Sequence, residues 1–176
     1  MKKFLTLVSL LIMSAYVSVS VKEWQIADGY KIRFDGKYAH GTFNKMAGKI
    51  RFEPAHPEQA QFEVSVDVAS IDTGIELKNK HARSDKWFDA EQFPRINFLS
   101  KSVSRTDTGF VVRGELELKG IKKEIAIPFG FTTSGSQPLF YGKFKVNRGD
   151  FGIGKVNGKE SDSTAVEVSV PVLAFK

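Results

Sequence analysis

The side chains in this sequence that could do acid–base or metal chemistry are few, and their spacing does not suit it. The three histidines, His40, His56 and His81, never stand two or four residues apart, so no local pair can chelate a metal. There is no cysteine, which excludes a thiol nucleophile, a disulfide framework and a cysteine zinc site. His56 lies between Pro54 and Pro57 and reads as an exposed loop residue. His81 falls in a segment with helical spacing. It reads as an anchor that hydrogen-bonds the helix to a strand, with contact to the polar end of a ligand as the alternative.

Residues 152–159 look briefly like a phosphate loop. A Walker motif ending at Gly158-Lys159 needs Gly at 153 and Ser or Thr at 160, where this chain has Ile153 and Glu160. The segment also leads into no apolar helix. Arg148 and Asp150 flank Gly149. They read as a charge pair that fixes the loop, or as a polar contact for a ligand head group. No Ser-His-Asp spacing suggests a triad. The expectation is a protein that is not an enzyme, with no catalytic residue, no metal and no required cofactor.

The elements that carry these residues announce themselves by a period of two. Phe62, Val64, Val66 and Val68 alternate with Gln61, Glu63, Ser65 and Asp67. Ile125, Ile127, Phe129 and Phe131 alternate with Glu124, Ala126, Pro128 and Gly130, and Val166, Val168, Val170 and Val172 repeat the pattern. Alternation of this kind makes strands with one apolar and one wetter face. Strands are predicted at residues 24–34, 38–43, 48–52, 61–70, 95–104, 110–118, 121–133, 139–146 and 164–175. Phe110, Val112, Leu116 and Leu118 share one face of the 110–118 strand. A short helix is predicted over about 76–90, stopped by Pro94. Asp35-Gly36, the 107–109 segment and Lys119-Gly120 are turn signals. So many strands with so little helix must bury one sheet face on itself. An eight-stranded up-and-down barrel does so, with an interior just wide enough for packed side chains or one ligand.

The chain has 176 residues and a net charge of +6. Residues 1–20 read as a signal peptide: Lys2 and Lys3, an apolar run over 4–13, and Ser18 and Ser20 before a cut at Val21. The run is shorter than the roughly 20 apolar residues of a membrane span. Removing it takes away two lysines and no acid, lowering the charge from +6 to +4. The remaining basic residues are scattered among acids, which argues against nucleic-acid binding. They allow a mild, transient attraction to an anionic membrane surface. Residues 21–176 suit one domain.

From Ser70 onward the residues become specific. Ser70-Ile71-Asp72-Thr73-Gly74, Trp87-Phe88-Asp89, Phe93-Pro94-Arg95-Ile96-Asn97-Phe98 and Ser100 occur in order. So do Trp24 and Asp28, Gly41-Thr42-Phe43, Gly48-Lys49-Ile50, Gly114-Glu115-Leu116 with Gly120, and the 148–154 loop. His81 with Arg83 and Ser84 adds to the set. The ordered whole resembles the YceI-like family of periplasmic proteins, from Trp24 to the C-terminus. Departures fall near strand ends, such as Ala82 where the family often has Leu.

The resemblance implies an elongated, lipocalin-like, all-β antiparallel barrel with a helix over one side. It implies a periplasmic lipid-binding protein that sequesters or carries a polyisoprenoid, a prenylated quinone or another long-chain lipid in its lumen. It also allows a homodimer. The inward stripes nominate Phe52, Phe62, Phe98, Phe129 and Phe144 as aromatic wall contacts. Val64, Val66, Val68, Val112, Leu116, Ile127 and Val168 are the aliphatic ones. His81 and Arg148 are nominated for the head group. The rival readings are a filled barrel acting as an envelope stress or interaction protein, and a redox accessory working on a bound quinone.

Overall fold

The structure, a computed structural model, describes residues 21–135, 137–154 and 162–175. The expected signal peptide and most of the phosphate-loop look-alike therefore lie outside the described residues.

The alternating segments form one closed antiparallel sheet. Its strands are β1 (Glu23–Ile26), β2 (Lys31–Gly36), β3 (His40–Phe43), β4 (Met46–Arg51), β5 (Gln61–Asp67) and β6 (Ile71–Asp72). After the helix α1 (Glu76–Arg83) come β7 (Arg95–Thr106), β8 (Gly109–Leu118), β9 (Ile121–Thr132), β10 (Leu139–Asn147) and β11 (Ser163–Ala174). Around the barrel the order is β1-β4-β5-β7-β8-β9-β10-β11, and β11 returns to β1. The remaining strands extend three of these eight. Ile26 of β1 and Lys31 of β2 both pair with β11, at Val172 and Ser169. In the same way β3 continues β4, and β6 continues β5.

Three of the eight long strands are thus each broken once, near residues 27–30, 44–45 and 68–70, and polar side chains stitch the breaks. The Tyr30 hydroxyl donates to the Asn44 carbonyl (3.1 Å) and accepts from the Met46 N–H (2.9 Å). The Ser70 hydroxyl oxygen accepts from the N–H groups of Asn44 (3.1 Å) and Lys45 (3.0 Å). These bonds satisfy backbone groups that the interrupted ladders leave over.

The breaks correct the sequence reading at two strands. The 24–34 strand divides at 27–30, where Gly29 takes a left-handed conformation (φ 87°). The 61–70 strand ends at Asp67, whose carboxylate caps a 3-10 turn over Val68–Ser70 by accepting from Ala69 N–H (2.9 Å). Val68 therefore leaves the inward stripe and is buried as the first residue of that turn. The helix is also shorter than the predicted 76–90. It stops at Arg83, and residues 84–94 close into turns in which Ser84 accepts from the N–H groups of Trp87 and Asp89.

A hairpin turn and a bulge fix the central register. Lys119 (φ 50°) and Gly120 (φ 73°) make the two-residue turn between β8 and β9. Positive φ at both central positions is the hairpin geometry that matches strand twist. In β7 the register slips between Ser100 and Ser102, a bulge that lets Phe98 and Val103 both face inward despite their odd spacing. The freed Ser100 hydroxyl accepts from Phe62 N–H (2.8 Å).

One end of the barrel is solid. Phe52, with no exposed surface, follows β4 and inserts its ring among those of Phe110 (5.0 Å), Phe131 (5.3 Å), Phe140 (5.4 Å) and Phe129 (5.5 Å). All four contacts are edge-to-face, a favoured geometry for aromatic quadrupoles. Trp24 Nε1–H fixes the segment by donating to the Phe52 carbonyl (2.8 Å). Replacing Phe52 by Ala should lower unfolding stability by about 3–5 kcal/mol, because the cavity left among rigid rings cannot collapse. Denaturant unfolding of the variant checks this. A loss below 1 kcal/mol would mean that the plug is not a structural centre.

Candidate functional site

Above the aromatic plug the inward stripes do not meet. A cavity of about 410 Å³ runs from the plug to the helix end of the barrel. Of the nominated wall residues, Phe62, Val64, Val66, Phe98, Val112, Leu116, Ile127, Phe129, Phe144 and Val168 all line it. Phe52 does not: it belongs to the plug beneath, because its segment turns across the barrel end instead of continuing up the wall. Val68 does not either, for the reason given by its turn. Sequence reasoning missed a second apolar wall. Ile32, Phe43 and Ile71 pack together where β2, β3 and β6 extend the barrel, with Phe88 laid edge-on to Phe43 (5.9 Å).

The polar lining gathers at one end. Lys37 and Tyr38 come from the β2–β3 turn, Thr73 follows β6, Lys78 and His81 lie on α1, and Arg148 follows β10. The nominated His81 and Arg148 are brought together there, with different roles. His81 is exposed, and its side chain has no hydrogen-bond or ion-pair partner among the described residues. It therefore does not anchor the helix. Asn79, which is buried, does that work. Its Oδ1 accepts from Thr73 N–H (2.8 Å) and Thr73 Oγ1 (2.7 Å), and its amide donates to Glu76 (3.3 Å) and Asp72 (3.4 Å). The signal for this was weak: Asn79 looks like any polar helix residue until Asp72-Thr73 folds under it.

Arg148 is buried, and its partner is not Asp150. It donates to Asp162 Oδ1 (2.6 Å) and to the Ile153 carbonyl (2.6 Å). Asp150 lies exposed on the outer side of the 3-10 turn Arg148–Phe151. Asp162, fourteen residues on, reaches the guanidinium, a contact that local spacing could not show. The guanidinium also lies over the rings of Tyr38 (4.9 Å) and Trp87 (5.8 Å). Its Nε is buried with no hydrogen-bond partner among the described residues. Gly154 permits this packing: a Cβ there would sit 3.0 Å from Arg148 Nη1 and 3.1 Å from the Trp87 ring, on a backbone with φ +67°.

No cluster of three or more His, Cys, Asp or Glu is placed to hold a metal among the described residues. The arrangement offers donors and an apolar interior instead. It can solvate the oxygen-bearing head of a molecule at the helix end and bury its tail below.

A small up-and-down barrel with an apolar lumen, plugged at one end and polar at the other, belongs to the class of folds able to enclose a hydrophobic ligand. The YceI-like domain model matches residues 19–174 of this chain, so the protein belongs to the YceI-like family. Among relatives, a UPF0312 protein of Azotobacter vinelandii is 32% identical over 141 residues, covering 76% of this chain and 73% of its own. One from Photorhabdus laumondii is 27% identical over 149 residues, covering 81% and 78%. Among solved structures, Burkholderia cenocepacia BcnA superposes with a TM-score of 0.74 at 25% identity, covering 82% of this chain and 96% of that one. A polyisoprenoid binding domain from Saccharophagus degradans shares the fold, with a TM-score of 0.65 at 13% identity over 89% of this chain and all of that one.

The buried ion pair yields a direct prediction. Asp162→Ala leaves a buried guanidinium without its counter-charge and should cost about 3–5 kcal/mol of stability. Asp150→Ala should stay within about 0.5 kcal/mol. Urea unfolding of the two variants, side by side, checks both values.

Proposed function

We propose that this protein is a periplasmic carrier that holds one long apolar chain, of the polyisoprenoid or prenylated-quinone class, inside its barrel. The observation that carries this reading is the lumen: its wall is almost wholly apolar, its far end is plugged by aromatic rings, and among the described residues its charged lining stands at the helix end. Each methylene taken from water contributes about 0.8 kcal/mol. A tail several isoprene units long therefore gains well before ordering costs are subtracted. Discrimination along the tail is loose, since an apolar wall distinguishes one methylene by only about 1–3 kcal/mol. The head group is chosen at the helix end, where Lys37, Lys78, His81 and Arg148 line the cavity as donors. They suit a head that accepts hydrogen bonds, such as a quinone carbonyl or a phosphate.

The likeness in fold to a polyisoprenoid binding domain supports the container reading. The signal-like N-terminus supports the compartment. A filled barrel working through its outer face is less well supported, because the space above the plug is not filled by side chains.

The test is mass spectrometry of an organic extract of the protein purified from its native envelope. A stoichiometric long-chain lipid is expected. Val66→Gln places an amide on the cavity wall, where it finds no partner, and should abolish that retention while the barrel still folds. A clean extract of the wild type, with no uptake of such lipids on incubation, would point to a filled-barrel role.

A further inference from the structure

The barrel wall is not continuous. Strands β9 and β10 pair only from Thr132–Leu139 to Phe129–Gly142. Beyond that point residues 121–128 keep β8 as a neighbour and residues 143–147 keep β11, but the two edges do not pair with each other. The gap lies in the helix half of the barrel. Ile127 stands on one edge, and Phe144 and Val146 on the other; all three line the cavity and are only half-buried. Below, the β9–β10 ladder closes the gap. Above, the loop after β10 reaches the start of β9, with a Cβ on Gly152 placed 3.7 Å from Ile121. The result is a window in the wall.

Two residues hold the window open by independent means. Pro128 directs its carbonyl at β10, since a Cβ on Gly142 would lie 2.8 Å from that oxygen. A strand residue points its nitrogen the same way as its carbonyl. The proline ring therefore stands where the next ladder donor is required. Lys123 pairs across β8 with Leu116, a buried lumen residue, and so shares the inward register. Yet Lys123 is exposed, and it has no ion-pair partner among the described residues. Zipping the two edges together would draw its ammonium group into an apolar lumen with no carboxylate to meet it. Lysines and a proline along unpaired edges also deter pairing with a strand from another chain. Lys143 and Lys145 supply the same protection on β10.

We infer that this window is the port through which the apolar chain passes between the lumen and the outside. The helix end is roofed by α1, Trp87 and the Arg148–Asp162 pair, so it holds the head group while the tail moves through the side. This inference rests on the container reading.

The experiment ties the window shut. Extending the observed register sets Ala126 opposite Lys145, and both are exposed on the outer face. Ala126→Cys with Lys145→Cys adds two thiols to a chain that has none. A short reducible bis-thiosulfonate linker then bridges them. Stopped-flow fluorescence follows uptake and release of a fluorescent polyene fatty acid before and after reduction. The tethered form should exchange the probe about tenfold more slowly or worse, as expected when a gating motion is blocked, and reduction should restore the rate. Pro128→Val with Lys123→Leu should slow exchange in the same direction without any linker. It should also raise hydrogen-exchange protection over 143–147. Equal rates in the tethered and reduced forms would overturn the port and leave the container intact. No uptake by the untethered protein would overturn both.

Discussion

A closed sheet of eight strands encloses a fixed width, and side chains must either fill it or leave it hollow. The rest of this structure follows from how that constraint is met differently at the two ends. At one end the 52–60 segment turns across the opening and delivers Phe52 into a nest of phenyl rings. At the other end the Val, Ile and Phe side chains of the wall leave the middle of the lumen open. The hollow above the plug comes from side-chain volume along the same stripes that build the solid below it.

A hollow apolar barrel leaves polar groups to be satisfied only at its rim, and the mouth shows how. Asn79 joins the start of α1 to the Asp72-Thr73 corner, fixing the helix over the opening with one buried amide. Arg148 pairs with Asp162, and the two aromatic faces beside the guanidinium shield the pair from water. Such a buried pair adds less stability than its geometry suggests, because both charges lose hydration. Its stronger effect is on placement: it holds Asp162, just before β11, against the turn that follows β10. Outer-face pairs differ. Lys143 hydrogen-bonds Glu167 across β10 and β11 and holds that exposed carboxyl below its ordinary pKa, yet it fixes little.

The wall meets the same constraint sideways. Full closure removes every sheet edge, which protects against aggregation but seals the contents. Here the β9–β10 seam is paired beside the plug and unpaired beside the cavity, so the barrel keeps its solid end without becoming a sealed vessel. The unpaired stretch carries charge and proline where a neighbouring strand would otherwise add on.

Much of this was legible in the residues. Period-two stripes named nearly every strand, Lys119-Gly120 named its hairpin, and ten of the twelve nominated apolar residues reach the cavity. Such stripes are legible because a strand's side chains alternate whatever the strand packs against. The misses share a cause. Val68 looked like one more step in a stripe until the Asp67 carboxylate capped the turn that Val68 begins. Phe52 looked like wall until its segment crossed the barrel end. Asp150 looked like the partner of Arg148 because it was near in sequence, whereas Asp162 is near in space. The sequence by itself determined which faces are apolar and that they must curl into a barrel. Only the tertiary structure decided which end is plugged, which carboxylate is buried and where the wall stays open. Each of those depends on contacts between segments that are distant along the chain, and local periodicity carries no record of them.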